Sequence, residues 1–427
     1  MNILIFVTNY LDMKQISSKR WRCLSRELVR LGNHVDVVAC DDHYTYEGGQ
    51  DLQIIEGVGY YRIGQNPPPK STGASKTIQY ELKHRFNAAR FLYYLFRTKK
   101  IESNTHHKCR NLINRNVLRC KKYDYVICSI QNVEAFYMAE TALKMGCANR
   151  LICDIRDVLS GLIYGRPEQD IIGSLQIRKI TKKSHFIFAV NGGIKRWVLE
   201  NNKWYSPDRI HVFPHGIDLN EDIYSGEVQE KKIFSVVYTG STYAGLRKTD
   251  PLFSALRSFR DGEIELAVAG RNTGEFREKA EEYGIQGKFA DKGMLSKNDA
   301  LKLQKEADVL FYMTYIEDDS EYCGMSGKFP EYLASGKPIL SLINAKEGYS
   351  WYKEETERYQ FGVVIDANAG DADLEIYNYL RDRVDSTEEA HTPCSINMRA
   401  GDYMITTIAK RIDSLLKSEM ESKQNKD

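Results

Sequence analysis

The chain has 427 residues, a formal net charge of +2, 42% hydrophobic residues and 28% charged residues. That length exceeds one ordinary domain and points to two or three, each able to bury its own core. The near-neutral balance excludes a globally basic nucleic-acid binder, so charged partners must be sought in local clusters. The nine cysteines form no CxxC pair and no zinc-ligand spacing, so they read as buried apolar residues in a reducing compartment. No apolar run approaches the ~20 residues of a membrane span, and Met1–Tyr10 lacks the basic start of a signal peptide. A cytoplasmic protein is expected, able to lie on the inner face of the cell membrane.

Asn2–Thr8 (NILIFVT) reads as a buried strand, Ser17–Gly32 as an amphipathic helix stopped by glycine, and His34–Cys40 as the next strand. This βαβ opening implies a parallel sheet with helices on its faces. From Glu81 to Lys122 the chain carries twelve Lys/Arg and two acids, a net +10, with FLYYLF (Phe91–Phe96) followed by RTKK (Arg97–Lys100). Aromatics beside cations suit an anionic lipid surface; a core aromatic cluster on a basic helix pair fits the same pattern. No DNA- or RNA-binding motif accompanies it, and no nucleic-acid partner is expected. Further strands are expected at Tyr123–Ser129, Arg150–Arg156, His185–Asn191 and Arg209–Pro214.

A mixed-charge linker runs from Gly216 to Lys231, and the α/β pattern then restarts. Strands are expected at Ile233–Ser241, Glu263–Arg271, Ala307–Met313, Lys337–Ile343 and Phe361–Ala367, with helices between them. Met398–Leu416 has a helical apolar period, and the polar tail from Lys417 is expected to fray. The fold class is α/β: two Rossmann-like, doubly wound halves facing a cleft, with ligands at the carboxyl ends of the strands.

Two stretches can carry chemistry. In SGKFPEYLASGKPIL (Ser326–Leu340), Ser326 is placed to cap a helix, where free N–H groups and Lys328 suit a phosphate, and Glu331 one turn on suits a ribose or sugar hydroxyl. An ordinary capped helix with a surface Lys–Glu pair fits equally. In YTGSTYAGLRKTDPLFSAL (Tyr238–Leu256), a strand ends at Gly240, and Arg247 and Lys248 precede a helix, either to hold a diphosphate or as a solvated pair.

Together with VFPHGID (Val212–Asp218), ELAVAGR (Glu265–Arg271) and LQKEADVLFYM (Leu303–Met313), these stretches resemble retaining GT-B glycosyltransferases of family 4. SSKRW (Ser17–Trp21) and DIRD (Asp154–Asp157) are similar to a bacterial branch that builds cell-surface polysaccharides. The resemblance spans nearly the whole chain. It implies a nucleotide-sugar donor, UDP first, and a glycan or lipid-linked glycan acceptor. The first domain would be 1–218, membrane-facing and completed by a returning helix at 396–417. The donor domain would be 219–395, and the flexible tail 418–427.

By the same resemblance, Lys248 and Lys328 hold the donor diphosphate, Glu331 binds the ribose, Ser326 and Gly327 offer backbone N–H groups, and Arg271 lies near the nucleotide. Gly240, Ser241 and Arg247 complete the donor set, and Lys328 stabilises the leaving group. Ser17, Ser18 and Arg20 would reach the phosphates or the acceptor, or form a capped helix with an exposed arginine. Arg156 or Asp157 would face the transferred sugar, or form a structural pair. No metal or cofactor is implied, and EDDSE (Glu317–Glu321) reads as a solvated loop. Two positions depart from the family pattern: Cys323 replaces the first glutamate of its Glu-x7-Glu motif, and Ser241 stands where an arginine is common. A GT-B nucleotide-sugar epimerase and an inactive sugar-binding partner are the competing readings.

Overall fold

The computed structural model describes residues 1–8, 10–11, 16–39, 53–63, 87–115, 118, 121–130, 133–157, 159, 167–218, 233–240, 248–313, 328–343, 348–386 and 401–424. The chain divides into two compact units, 1–216 with 405–427, and 217–404.

The first unit begins with β1 (Asn2–Val7), α1 (Ile16–Arg30) and β2 (His34–Ala39), followed by the hairpin β3 (Gln53–Ile55) and β4 (Val58–Arg62). It continues through α2 (Ala88–Arg115), β5 (Tyr125–Ile130), α3 (Glu134–Lys144), β6 (Leu151–Ile155), α4 (Pro167–Lys183), β7 (Phe186–Ala189), α5 (Gly192–Asn201) and β8 (Ile210–Val212). Its eight strands lie in the order β3-β4-β2-β1-β5-β6-β7-β8. Only the β3–β4 pair is antiparallel. That hairpin was not foreseen. Its signal is the pair Glu56-Gly57, both at positive φ (53° and 81°), as a tight two-residue turn requires. Strands β1, β5 and β6 are buried on both faces, which explains their unbroken apolar runs.

The second unit holds β9 (Phe234–Thr239), α6 (Asp250–Arg257), β10 (Ile264–Ala269), α7 (Gly274–Glu282), β11 (Phe289–Gly293), α8 (Lys297–Glu306), β12 (Val309–Met313), α9 (Lys328–Ser335), β13 (Ile339–Ile343), α10 (Gly348–Tyr359), β14 (Gly362–Asp366) and α11 (Ala372–Asp385). Its sheet is wholly parallel, in the order β11-β10-β9-β12-β13-β14. In each unit the strand order reverses once, at β1 and at β9, and such reversals open a crevice at the strand carboxyl ends.

The last helix, α12 (Ile405–Gln424), belongs to the first unit. Ile405, Ile408, Ile412 and Leu416 follow helical spacing and join Trp21, Leu24 and Leu28 of α1 in one core. The tail expected to be flexible from 418 is instead helical to Gln424. His185 Nε2 lies 3.0 Å from Glu419 and Met420 packs against the core, so tertiary contacts hold the start of a stretch whose composition suggested fraying. The unit boundaries also differ from 218 and 396. Ile217 N donates to the Tyr403 carbonyl at 2.7 Å, and Ile217 bridges Met404, so both crossover segments are tied together inside the second unit.

Candidate functional site

In the second unit, the carboxyl ends of β9 and β10 turn at Gly240 (φ 135°) and Gly270 (φ 151°). Neither position admits a side chain. A Cβ on Gly270 would lie 2.0 Å from the Gly240 carbonyl oxygen, and one on Gly240 would lie 1.8 Å from Lys328 Nζ. The glycines therefore let two backbone turns and one lysine share a small space. Gly240 N donates to the Ala269 carbonyl at 2.6 Å, and Gly270 N to that of Gly293 at 2.9 Å, fixing the three strand ends in register.

Above this floor is a cavity of about 290 Å³, lined by Gly240, Arg271, Lys297, Gln304, Lys328 and Glu331 among others. Lys328 is the first residue of α9. Its Nζ donates to Tyr238 Oη at 2.9 Å and lies 4.6 Å from the Tyr238 ring centroid. Tyr238 is in turn stacked on Phe276, centroids 5.7 Å apart. The ammonium is thus held by an aromatic platform and a hydroxyl. Glu331, one turn on, is half-buried on the same wall. Tyr332 faces inward, and its hydroxyl accepts from Thr239 N at 2.9 Å.

Helix α8 supplies a wall that the sequence reading missed: Lys297, Ala300, Leu301 and Gln304 follow one helical face. The signal was present in the Ser296 cap, which accepts from Asp299 N, and in the apolar period after it. Gln304 is buried. Its Nε2 donates to Thr239 Oγ1 at 2.8 Å, while its Oε1 has no partner. Met294 and Leu295 complete the apolar rim. Lys248 is not part of this lining; it is exposed, its Nζ 3.5 Å from Asn368 Oδ1. Ser241, Arg247, Ser326, Gly327, Cys323 and the 317–321 acidic loop lie outside the described residues.

In the first unit, a buried polar cluster sits at the carboxyl ends of β1, β5 and β6. Asp154, wholly buried on β6, accepts from Arg20 Nε at 3.2 Å, Arg20 Nη2 at 2.9 Å, Trp21 Nε1 at 2.7 Å and Ser129 Oγ at 3.0 Å. Burial alone would raise its carboxyl; the Arg20 charge and hydrogen bonds, helped by Arg156 and Trp21, outweigh that and hold it below the ordinary value. Arg20 also donates to the carbonyls of Phe213 and Pro214. Its guanidinium is therefore consumed by the fold. The expectation that Arg20 reaches a ligand is corrected: it ties α1 to β6 and to the chain leaving β8. Ser18 is fully buried with an unpartnered Oγ, Arg156 is 5% exposed, and Asp157 is exposed. Burial pulls the Arg156 pKa down, against the charges of Asp154 and Asp157.

Among the described residues, one group has the side chains of a metal site: Glu102, His106 and Glu140. Lys179 already contacts both carboxylates, and Lys183 lies 2.6 Å from Glu140, so the cluster is an ion network joining α2, α3 and α4. Helix α2 turns Leu92, Tyr93 and Phe96 outward, 61%, 58% and 73% exposed, next to exposed Lys99 and Lys100. Among the described residues, no helix is long and apolar enough to cross a membrane.

No family model matches the chain, and no curated protein does. Solved structures do match. A glycosyltransferase from Rickettsia africae superposes with a TM-score of 0.60 at 13% identity, covering 98% of both chains. The fold is GT-B. A lipopolysaccharide outer core galactosyltransferase gives 0.60 at 14% identity over 98% of this chain and 100% of that one. The GT-B architecture also serves other chemistry: a UDP-GlcNAc 2-epimerase from Neisseria meningitidis, bound to UDP-GlcNAc, gives 0.55 at 13% identity with 98% and 100% covered.

Proposed function

We propose that the protein is a glycosyltransferase that takes a sugar from a nucleotide-diphosphate sugar, UDP first, and passes it with retention to a glycan or lipid-linked glycan in cell-surface polysaccharide synthesis. The observation that carries this reading is the glycine-floored cavity of the second unit, where Lys328 stands beside the Gly240 turn and Glu331 one helical turn away. A diphosphate needs fixed cations and close backbone approach, and a ribose needs a carboxylate; the cavity presents both. Lys328, with Arg271 and Lys297 on the same lining, supplies positive charge for the departing diphosphate, and no metal is required for that role.

The first unit takes the acceptor. Exposed Leu92, Tyr93 and Phe96 beside Lys99 and Lys100 support a cytoplasmic protein resting on the anionic inner face of the cell membrane. Epimerisation is the second reading, favoured by the likeness to UDP-GlcNAc 2-epimerases. An inactive sugar-binding partner is the third.

The test is a panel of UDP-, GDP- and dTDP-sugars with the purified protein, wild type beside Lys328→Ala and Glu331→Ala. Selective donor hydrolysis or transfer, lost in both variants, supports the transferase. Release of an epimerised sugar makes the protein an epimerase. Binding without turnover favours the inactive partner, and no binding of any donor sinks the cavity assignment.

A further inference from the structure

The two arginines at the carboxyl ends of the first unit's strands have opposite fates. Arg20 is satisfied: two contacts to Asp154 and two to backbone carbonyls occupy its guanidinium. Asp154 is satisfied in return, with four donors from three side chains. Arg156 follows two residues after Asp154 and is just as deeply placed, at 5% exposed. Among the described residues it has no hydrogen bond and no ion pair, and its Nε is both buried and unpartnered. Asp157 is exposed and makes no ion pair with it. Ser18, two residues before Arg20, adds a second buried donor without a partner.

Asp154 and Asp157 act on Arg156 only through their charges, and a deeply placed guanidinium whose buried Nε has no acceptor is costly to the fold. Asp154 makes its hydrogen bonds to Arg20, Trp21 and Ser129 and makes none to Arg156. Arg156 is therefore left with a buried donor and no acceptor. Guanidinium prefers planar, multiply accepting anions, phosphate and carboxylate above all. The donor diphosphate has its own cations, since Lys328, Arg271 and Lys297 line the cavity of the second unit.

We propose that Arg156 anchors an anion subsite on the first unit, and that the acceptor glycan carries the phosphate or carboxylate it takes. This rests on the transferase reading and narrows its acceptor to an anionic one. Arg156 is then a specificity-determining residue that positions the acceptor by its charge.

The experiment uses the full chain and three proteins: wild type, Arg156→Gln and Lys328→Ala. UDP affinity is measured by calorimetry for each. The UDP-saturated proteins are then titrated with methyl phosphate and, separately, with glucuronate. The expected result is methyl phosphate or glucuronate binding to UDP-saturated wild type that weakens at least tenfold in Arg156→Gln, while the UDP affinity of that variant stays within twofold of wild type. Whichever probe binds identifies the anion class. A tenfold loss of UDP affinity in Arg156→Gln, matching Lys328→Ala, would assign Arg156 to the donor phosphates and overturn the proposal. Binding of neither probe to wild type, or equal binding to wild type and Arg156→Gln, would also overturn it. If wild type fails to bind UDP, the donor assignment falls, and the same titrations without UDP still decide the Arg156 subsite. Arg156→Gln should melt at or above the wild-type temperature, because it removes a buried cation whose Nε has no acceptor; a lower melting temperature would mean that Arg156 is a structural cation and would refute the subsite. Arg156→Lys, which restores the charge, should recover part of the probe affinity.

Discussion

Gly240→Ala is the sharpest test of the donor cavity. The new methyl carbon would lie 1.8 Å from Lys328 Nζ and 1.9 Å from its Cε. No Cβ tolerates such contacts, so the lysine head must leave Tyr238 Oη and the Tyr238 ring. The backbone at Gly240 has φ 135°, which an alanine adopts only under strain of roughly 1–3 kcal/mol. Stability should therefore fall by about that amount. Ligand binding should fall through a different route. A hydrogen bond between a charged donor and its partner contributes about 1.5–3 kcal/mol, so displacing Lys328 from a diphosphate should weaken UDP by roughly 10- to 150-fold. A double-mutant cycle separates the two effects. Lys328→Ala removes the side chain that the methyl would hit, so Gly240→Ala should weaken UDP strongly in the wild-type background and little in the Lys328→Ala background. Calorimetry with UDP, beside thermal melts, reads both. UDP affinity in Gly240→Ala equal to wild type would refute the claim that the Gly240 turn positions the phosphate-binding lysine.

Three further outcomes are expected. Tyr238→Phe keeps the ring under Lys328 but removes the hydroxyl, and should weaken UDP by roughly 2- to 13-fold, 0.5–1.5 kcal/mol, in the same calorimetric assay. Asp154→Asn leaves Arg20 buried without its counter-charge and should cost about 3–5 kcal/mol of unfolding free energy in urea melts. The Asp154 carboxyl is held below its unfolded value, so its contribution is complete above about pH 4, the unfolded carboxylate value, and fades as pH falls through the folded pKa; the melting temperature of Asp154→Asn should therefore depend less on pH on the acid side than that of wild type. Paired replacement of Leu92 and Phe96 by serine should reduce sedimentation with vesicles rich in anionic lipid by about tenfold or more, since burying each side chain contributes about 1.5–3 kcal/mol, while leaving the UDP affinity unchanged.

Much of this was legible in the chain, and the reasons are physical. Strands such as β1 and β9 are buried on both faces, so their apolar runs admit no other reading at that length. Lys328 and Glu331 stood out because a helix start after glycines concentrates charge at one point. The wall from α8 did not, because Gln304 and Ala300 are ordinary residues whose role depends on which face the helix turns toward Thr239. The β3–β4 hairpin was hidden in a three-residue strand, and the helical tail beyond 417 in a composition that gives no hint of the partner His185.

The two arginines show the limit most clearly. In sequence, Arg20 and Arg156 look alike: each is a cation in a short motif with a nearby serine or aspartate, Arg20 in SSKRW and Arg156 in DIRD. Nothing local tells which one is structural. The distinction arises from Asp154, which can accept only a fixed number of donors, and from the geometry that brings Arg20 and Trp21 of α1 and Ser129 of β5 to it. Once those contacts are made, one arginine is fully paired and the other is not. Sequence can therefore nominate charged residues for a ligand, but only the saturation of their protein partners decides which of them is left for it. By that criterion Arg156, and not Arg20, is the residue of the first unit on which a change of charge should alter what the protein binds.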